Sequence, residues 1–157
     1  MTHEDLVLFG RVGLAFVLCY AIGFERALRG SPAGDRTFSL VGTAAAAVTA
    51  VTIGPAPQAI GGVVTGVGFI GAGLVLRGDR GMIRGMTSAA GVFAATGIGV
   101  VAGSGHGWLA LFVTLLTVLD LELRHVPVLN RLDAHRYADR MESDDSDDEQ
   151  PPPGNVL

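Results

Sequence analysis

From Leu6 to Leu123 the chain is one nearly continuous apolar stretch, rich in Gly and Ala, broken only by short islands of charge. That pattern constrains the fold more than any other feature. Only 17% of residues are charged, against about 25% in soluble domains. The stretch divides into apolar runs close to the length that crosses a hydrocarbon core of ~30 Å. A chain of this kind takes lipid as its solvent, and its helices must satisfy their own backbone hydrogen bonds.

Five runs stand out, over Leu6–Phe24, Phe38–Ile53, Ala59–Leu76, Met86–Ala102 and Trp108–Leu123. Pro32, Pro55, Pro57 and Pro127 all fall between or after them. Proline removes a backbone donor and clashes with the preceding turn, so its exclusion from the runs supports helices there. The flank Thr2-His3-Glu4-Asp5 is acidic, and no small-residue cleavage site follows the first run. The sequence therefore predicts a retained membrane helix and not a signal peptide.

Arginine sets the orientation. The chain has no Lys, and its eleven basic residues are all Arg. Arg26, Arg29 and Arg36 lie in the first connection, and Arg77, Arg80 and Arg84 in the third. Arg124, Arg131, Arg136 and Arg140 follow the fifth run, while the second and fourth connections hold none. Basic and neutral connections alternate as the positive-inside rule requires. The expectation is an all-α, polytopic transmembrane bundle of about five helices, with the N-terminus outside and the C-terminus cytoplasmic.

Three segments are expected: a transmembrane domain over 1–125, a short cytoplasmic amphipathic segment over 126–141, and an acidic, Pro-rich tail over 142–157. The tail carries Glu142, Asp144, Asp145, Asp147, Asp148 and Glu149. It has too little apolar surface to offset its ordering entropy, and disorder is the expectation. The lone cysteine, Cys19, has no disulfide partner in the chain and reads as a small packing residue.

In lipid, small residues let helix backbones approach and gain dispersion contacts. Gly62 and Gly66 have GxxxG spacing, as do Gly99 and Gly103. Gly68, Gly71 and Gly73 extend the small-residue run of the third helix. That helix is therefore expected at the centre of the bundle, with Ala44–Ala47 and Ala89-Ala90 supplying partner faces. Gly66-x-Gly68-x-x-Gly71 also matches a dinucleotide fingerprint, but no strand precedes it and it lies in an apolar span.

The first connection holds Glu25-Arg26 and Asp35-Arg36-Thr37; the third ends Arg84-Gly85-Met86-Thr87-Ser88. Asp35 or Thr37, and Thr87 or Ser88, are the expected caps of the second and fourth helices. The alternative reading is that these arginines set topology and bind lipid phosphates. Arg11, inside the first helix, either snorkels outward or faces the bundle. Asp120 and Glu122 lie near the end of the fifth run, at the membrane interface. No nucleophile–base set, metal motif or P-loop is present, and His3, His106, His125 and His135 lack ligand spacing. An enzyme is not expected, nor a nucleic-acid partner.

The motifs resemble the MgtC/SapB family of bacterial inner-membrane proteins. They are Gly23-Phe24-Glu25-Arg26, then Pro32-Ala33-Gly34-Asp35-Arg36-Thr37, then Gly66 through Gly73. Ile83-Arg84-Gly85-Met86-Thr87-Ser88-Ala89-Ala90 and Gly97-Ile98-Gly99 complete the set, which covers about residues 10–120. Where Asp35 stands, the family pattern often has Leu. The resemblance implies a multi-pass inner-membrane protein tied to Mg2+ homeostasis and, in pathogens, to virulence. It also implies a short form, without the folded C-terminal cytoplasmic domain of many members.

Two functions follow as alternatives. A Mg2+ transporter or channel subunit needs one or two carboxylates, and Glu25 and Asp35 are the candidate ligands. A regulator or scaffold would bind a membrane partner through its helix faces and the rim Glu25, Arg26, Asp35, Arg36, Thr37, Arg84 and Thr87. No acid falls at mid-membrane depth and arginines outnumber acids at the rim, which favours regulation. A homodimer is compatible with the small-residue faces, and no other cofactor is implied.

Overall fold

The computed structural model describes residues 2–75 and 85–123. Among them are five helices and no strand: α1 (His3–Leu28), α2 (Asp35–Thr52), α3 (Ala59–Val75), α4 (Met86–Gly103) and α5 (Gly107–Leu123). Arg77, Asp79, Arg80 and Arg84, and the segments 126–141 and 142–157, lie outside the described residues. Contacts divide the chain at Leu119/Asp120, and the packing below is that of the first unit.

α1 is longer than its apolar run at both ends, for local reasons. Thr2 Oγ1 accepts from the Asp5 amide at 3.2 Å, and Asp5 Oδ2 accepts from the Thr2 amide at 2.8 Å. This reciprocal capping box starts the helix three residues early. At the other end Glu25 and Arg29 stand one turn apart and pair, extending the helix past Phe24. Gly30, at φ +70°, ends it. Glu25 and Arg26 thus belong to the last turns of α1 and not to a connection.

The expected side-chain caps are absent. Gly34 is the N-cap of α2 and Gly85, at φ +91°, that of α4, and neither start is capped by a side chain. Asp35 is the first helical residue of α2, where its Oδ1 accepts from the Arg36 amide at 2.9 Å. Thr37 is half-buried within that first turn, and Thr87 is exposed. Ser88 turns inward, and its hydroxyl meets that of Ser31 at 2.8 Å.

The core is α1, α2 and α4. α2 runs antiparallel to α1 and parallel to α4, and glycines mark the closest approaches. A Cβ on Gly23 would lie 2.7 Å from Asp35 Cα and 2.8 Å from Phe38 Cβ. One on Gly42 would collide with Cys19 Sγ, and one on Gly91 would sit 2.9 Å from the Phe38 ring. Across the α2–α4 seam, Gly99 meets the Gly42 carbonyl and Ala45, and Gly103 meets Ala46 and Thr49. Cys19 reaches α4 as well, with Sγ 3.5 Å from the Ala95 carbonyl oxygen.

α3 is not the central helix. Its single buried residue is Val67. A Cβ on Gly62, Gly66, Gly68 or Gly73 would meet nothing within 4 Å, and one on Gly71 would touch only Ala89, at 3.8 Å. The reason is competition for one seam. Ala45 and Ala46 of the alanine run face Gly99 and Gly103, so α4 takes the close position beside α2 and α3 packs at the edge of that pair.

Small residues, Ala15, Cys19, Ala45, Ala46, Ala95 and Ala102, share the interior with Phe38, Ile22, Ile98 and Val92 and with the polar Thr49, Thr96 and Ser88. Phe9, Phe69, Phe93, Phe112 and a set of leucines stand outward, with Trp108 87% exposed. Phe16, Tyr20 and Phe24 stack along the outside of α1, ring centres 5.9 and 6.3 Å apart. Apolar surface on this scale marks a face made for another molecule or for lipid. By length and composition, α1 and α4 are each long and apolar enough to cross a membrane.

Candidate functional site

The polar groups of the first unit gather mainly at the end where α1 stops and α2 and α4 begin. Arg26 is 9% exposed, a costly place for an isolated cation. Its cost is met by Glu25. Arg26 Nε donates to Glu25 Oε2 at 2.5 Å, and its terminal NH2 donates to Oε1 at 2.6 Å. Arg29 Nε donates to the same Oε1. One carboxylate therefore serves two guanidinium groups, in the planar two-pronged geometry that suits arginine.

Asp35 takes a different place. Its carboxylate serves the start of its own helix through the Arg36 amide, while the Arg36 side chain is exposed. Glu25 and Asp35 thus have separate hydrogen-bond partners. Among the described residues, no three or more His, Cys, Asp and Glu are grouped so as to hold a metal ion. Arg84 lies outside the described residues, and Thr87 makes no contribution to the Glu25 cluster.

Three further links complete this end. Ser31 and Ser88 tie the α1–α2 connection to α4. The Ser31 amide donates to the Arg26 carbonyl at 3.1 Å, and Ser39 Oγ donates to the Arg36 carbonyl at 3.2 Å. The two helix starts without side-chain caps add positive dipole ends to Arg26, Arg29 and Arg36. Against these stand Glu25 and Asp35. At this end of the first unit three arginines thus stand against two carboxylates, a balance that suits an anionic or carboxylate-bearing surface better than a bare cation.

Arg11 serves the opposite end. It faces the bundle, and its partner is a backbone carbonyl: NH1 donates to Gly103 O at 3.4 Å. The guanidinium also lies against Gly105, where a Cβ would be 2.9 Å from NH2. A cation at the last carbonyls of α4 complements the negative end of its dipole. The Ser31–Ser88 bridge has no sequence signal, whereas the close approaches fall on small residues spaced four apart, Ala15, Cys19 and Gly23 on α1, Gly42 and Ala46 on α2, and Gly91, Ala95, Gly99 and Gly103 on α4.

Comparison with known proteins adds an independent finding. Residues 12–127 match the model of the MgtC family. The chain is similar to a protein named "Putative magnesium transporter YhiD" from Escherichia coli K12, at 38% identity over 138 residues, covering 80% of this chain and 62% of that protein. It is similar to Protein SapB of Bacillus subtilis at 31% identity, covering 69% of this chain and 52% of SapB. Protein MgtC of Salmonella typhimurium LT2 is 38% identical, covering 65% of this chain and 46% of MgtC. The chain therefore spans less than two thirds of each of these proteins. No solved structure matches it.

Proposed function

This chain belongs to the MgtC family, and from that premise we propose that it is a multi-pass inner-membrane protein that serves Mg2+ homeostasis by regulating or scaffolding a membrane partner. In this reading the chain crosses the membrane five times, with the Glu25 end in the cytoplasm and the Arg11 end outside. The distribution of arginine supports this orientation. Arg26, Arg29 and Arg36 cluster at the Glu25 end, while the connections over 53–58 and 104–106 at the other end carry none. Trp108 then lies at the outer interface, where amphipathic aromatic rings are favoured.

The observation that carries the regulatory reading is the engagement of Glu25. Both its oxygens accept from guanidinium groups, so a Mg2+ ion using this carboxylate would have to displace two charged partners. Mg2+ also gives up its waters reluctantly and prefers open carboxylates. A protein partner bearing acidic groups suits the exposed Arg36 and the positive helix starts. The alternative is transport, and the printed name of the Escherichia coli relative supports it.

Mg2+ flux into proteoliposomes tests the choice, read by an internal Mg2+-sensitive dye. The regulatory reading expects no flux above empty vesicles. Flux in the native chain that disappears in Glu25→Gln/Asp35→Asn would overturn it and establish transport.

A further inference from the structure

Arg11 lies about 12 Å from the start of α1, inside a helix long and apolar enough to span a membrane. Among the described residues it makes no ion pair. The acids at its end of the bundle are engaged elsewhere or out of contact. Asp5 accepts from the Thr2 amide, and Glu4, two turns before Arg11, is exposed. A cation at this depth without a counter-ion is costly and marks a functional group.

Helical side chains lean toward the N-terminus of their helix, which carries the Arg11 guanidinium onto the turn over 104–106. NH1 donates to the Gly103 carbonyl at 3.4 Å. Gly105 lies under the flat face: a Cβ there would stand 2.9 Å from NH2, 3.0 Å from Cζ and 3.3 Å from Nε. The absent side chain and a φ of +92° make that seat. The edge formed by Nε and NH2 has no acceptor among the described residues. Arg26 uses the same edge to grip both oxygens of Glu25. Arg11 thus holds the same two donors ready, with no oxygen of the first unit to receive them.

The surroundings select the acceptor. α5 begins at Gly107, so the positive end of its dipole adds to the same turn. Trp108, 87% exposed, is the next residue, and tryptophan favours the headgroup level of a bilayer. The acceptor that abounds at that level is phosphate, whose paired oxygens match a two-pronged guanidinium. We propose that Arg11 seats a singly charged phosphate group against the 104–106 turn, through Nε and NH2. Its source is the headgroup of an anionic phospholipid or phosphate from solution. Once seated, the phosphate ties α1 to the junction of α4 and α5. The inference rests on the membrane placement proposed above, and is independent of Mg2+ and of which end faces the cytoplasm.

The test is thermal unfolding of the full chain in neutral detergent, with phosphatidylglycerol, phosphatidylcholine or inorganic phosphate added. A ligand of the folded state raises Tm by mass action. Phosphatidylglycerol should raise it by several degrees more than phosphatidylcholine, whose choline cation competes with Arg11 for the phosphate. Arg11→Gln should lose most of that difference, and Arg36→Gln should keep it. An Arg11-dependent rise with the lipid alone assigns the source to the bilayer; the same rise with inorganic phosphate assigns it to solution. No Arg11-dependent rise with either, or an equal loss in Arg36→Gln, overturns the proposal. A second measurement needs no variant: phenylglyoxal modification of the native chain, mapped by peptide mass. The effective ligand should slow reaction at Arg11 several-fold and leave Arg36 unchanged, and unaltered reaction at Arg11 overturns the seat. Flotation of the reconstituted chain with lipid vesicles reports separately on membrane placement.

Discussion

Gly103 lies against Thr49 so closely that a Cβ on the glycine would stand 3.0 Å from the threonine's Cβ and 2.5 Å from the carbonyl oxygen of Ala46. Backbone cannot yield to that extent without moving a helix. Gly103→Leu should therefore destabilise the bundle by at least the ~1–3 kcal/mol of ordinary overpacking. Gly66→Leu, whose site is open, should leave the melting temperature in detergent within a few degrees of the native chain. Equal loss in both variants would show that α3 is packed as tightly as α4.

The Glu25 cluster is asymmetric. Removing Glu25 leaves Arg26 buried and unpaired, whereas removing Arg29 leaves the Glu25–Arg26 pair intact. Breaking a buried pair costs about 3–5 kcal/mol, and an exposed one about 0–1 kcal/mol. Glu25→Gln should thus be several-fold more destabilising than Arg29→Gln in unfolding free energy, measured by denaturant titration in micelles. Similar losses would mean that Arg26 finds another partner.

Thr49 Oγ1 is a buried side-chain oxygen without a hydrogen-bond partner among the described residues. Other helical threonines on the same and neighbouring helices, Thr52 and Thr96 among them, donate to the carbonyl four residues earlier. A buried hydroxyl with no partner carries its full desolvation penalty. Thr49→Val should be neutral or stabilising by about 1 kcal/mol, whereas Thr96→Val should be destabilising. A clear loss of stability in Thr49→Val would reveal a partner for that hydroxyl.

Gly105 combines a φ of +92° with the Arg11 guanidinium at 2.9 Å from its added Cβ. The first feature strains any L side chain by about 1–3 kcal/mol; the second is relieved by shortening Arg11. Gly105→Ala should destabilise the native chain, and by less in an Arg11→Gln background. A double-mutant cycle in thermal unfolding reads the coupling. Zero coupling would mean that the arginine simply swings away.

The proposed orientation has its own check. Pro32 and Gln58 are both exposed, at opposite ends of the bundle. In intact spheroplasts, a membrane-impermeant maleimide should label Gln58→Cys and spare Pro32→Cys, with the buried Cys19 unreactive in both. The reverse pattern would invert the topology.

Much of the fold is legible along the chain because each helix advertises itself locally. Apolar runs, excluded prolines and turn glycines place five helices within a few residues of where they lie. The ends were less legible. The extension of α1 depends on Thr2 and Asp5 meeting across one turn, and on Glu25 reaching Arg29, which are pairings of polar residues that also read as a connection. Gly34 and Gly85 took the cap positions that Asp35, Thr37 and Thr87 were expected to fill. There the choice is made by the close approach of α1 to α2 at Gly23 and by a left-handed turn at Gly85.

Sequence alone determined that this chain is helical, apolar on the outside and polar at a few points, because those properties belong to single residues and short spacings. Which glycines are used was decided only in three dimensions. Gly62-x-x-x-Gly66 and Gly99-x-x-x-Gly103 look alike along the chain, and a small residue carries no mark of its partner. The partner is set by which face of α2 is already taken. Ala45 and Ala46 accept α4, Phe38 is held between Gly23 of α1 and Gly91 of α4, Gly42 accepts Cys19 of α1, and α3 is left with an open groove. The pairing of Glu25 with Arg26 and Arg29 was decided in the same way, since only the folded bundle buries Arg26 beside that carboxylate.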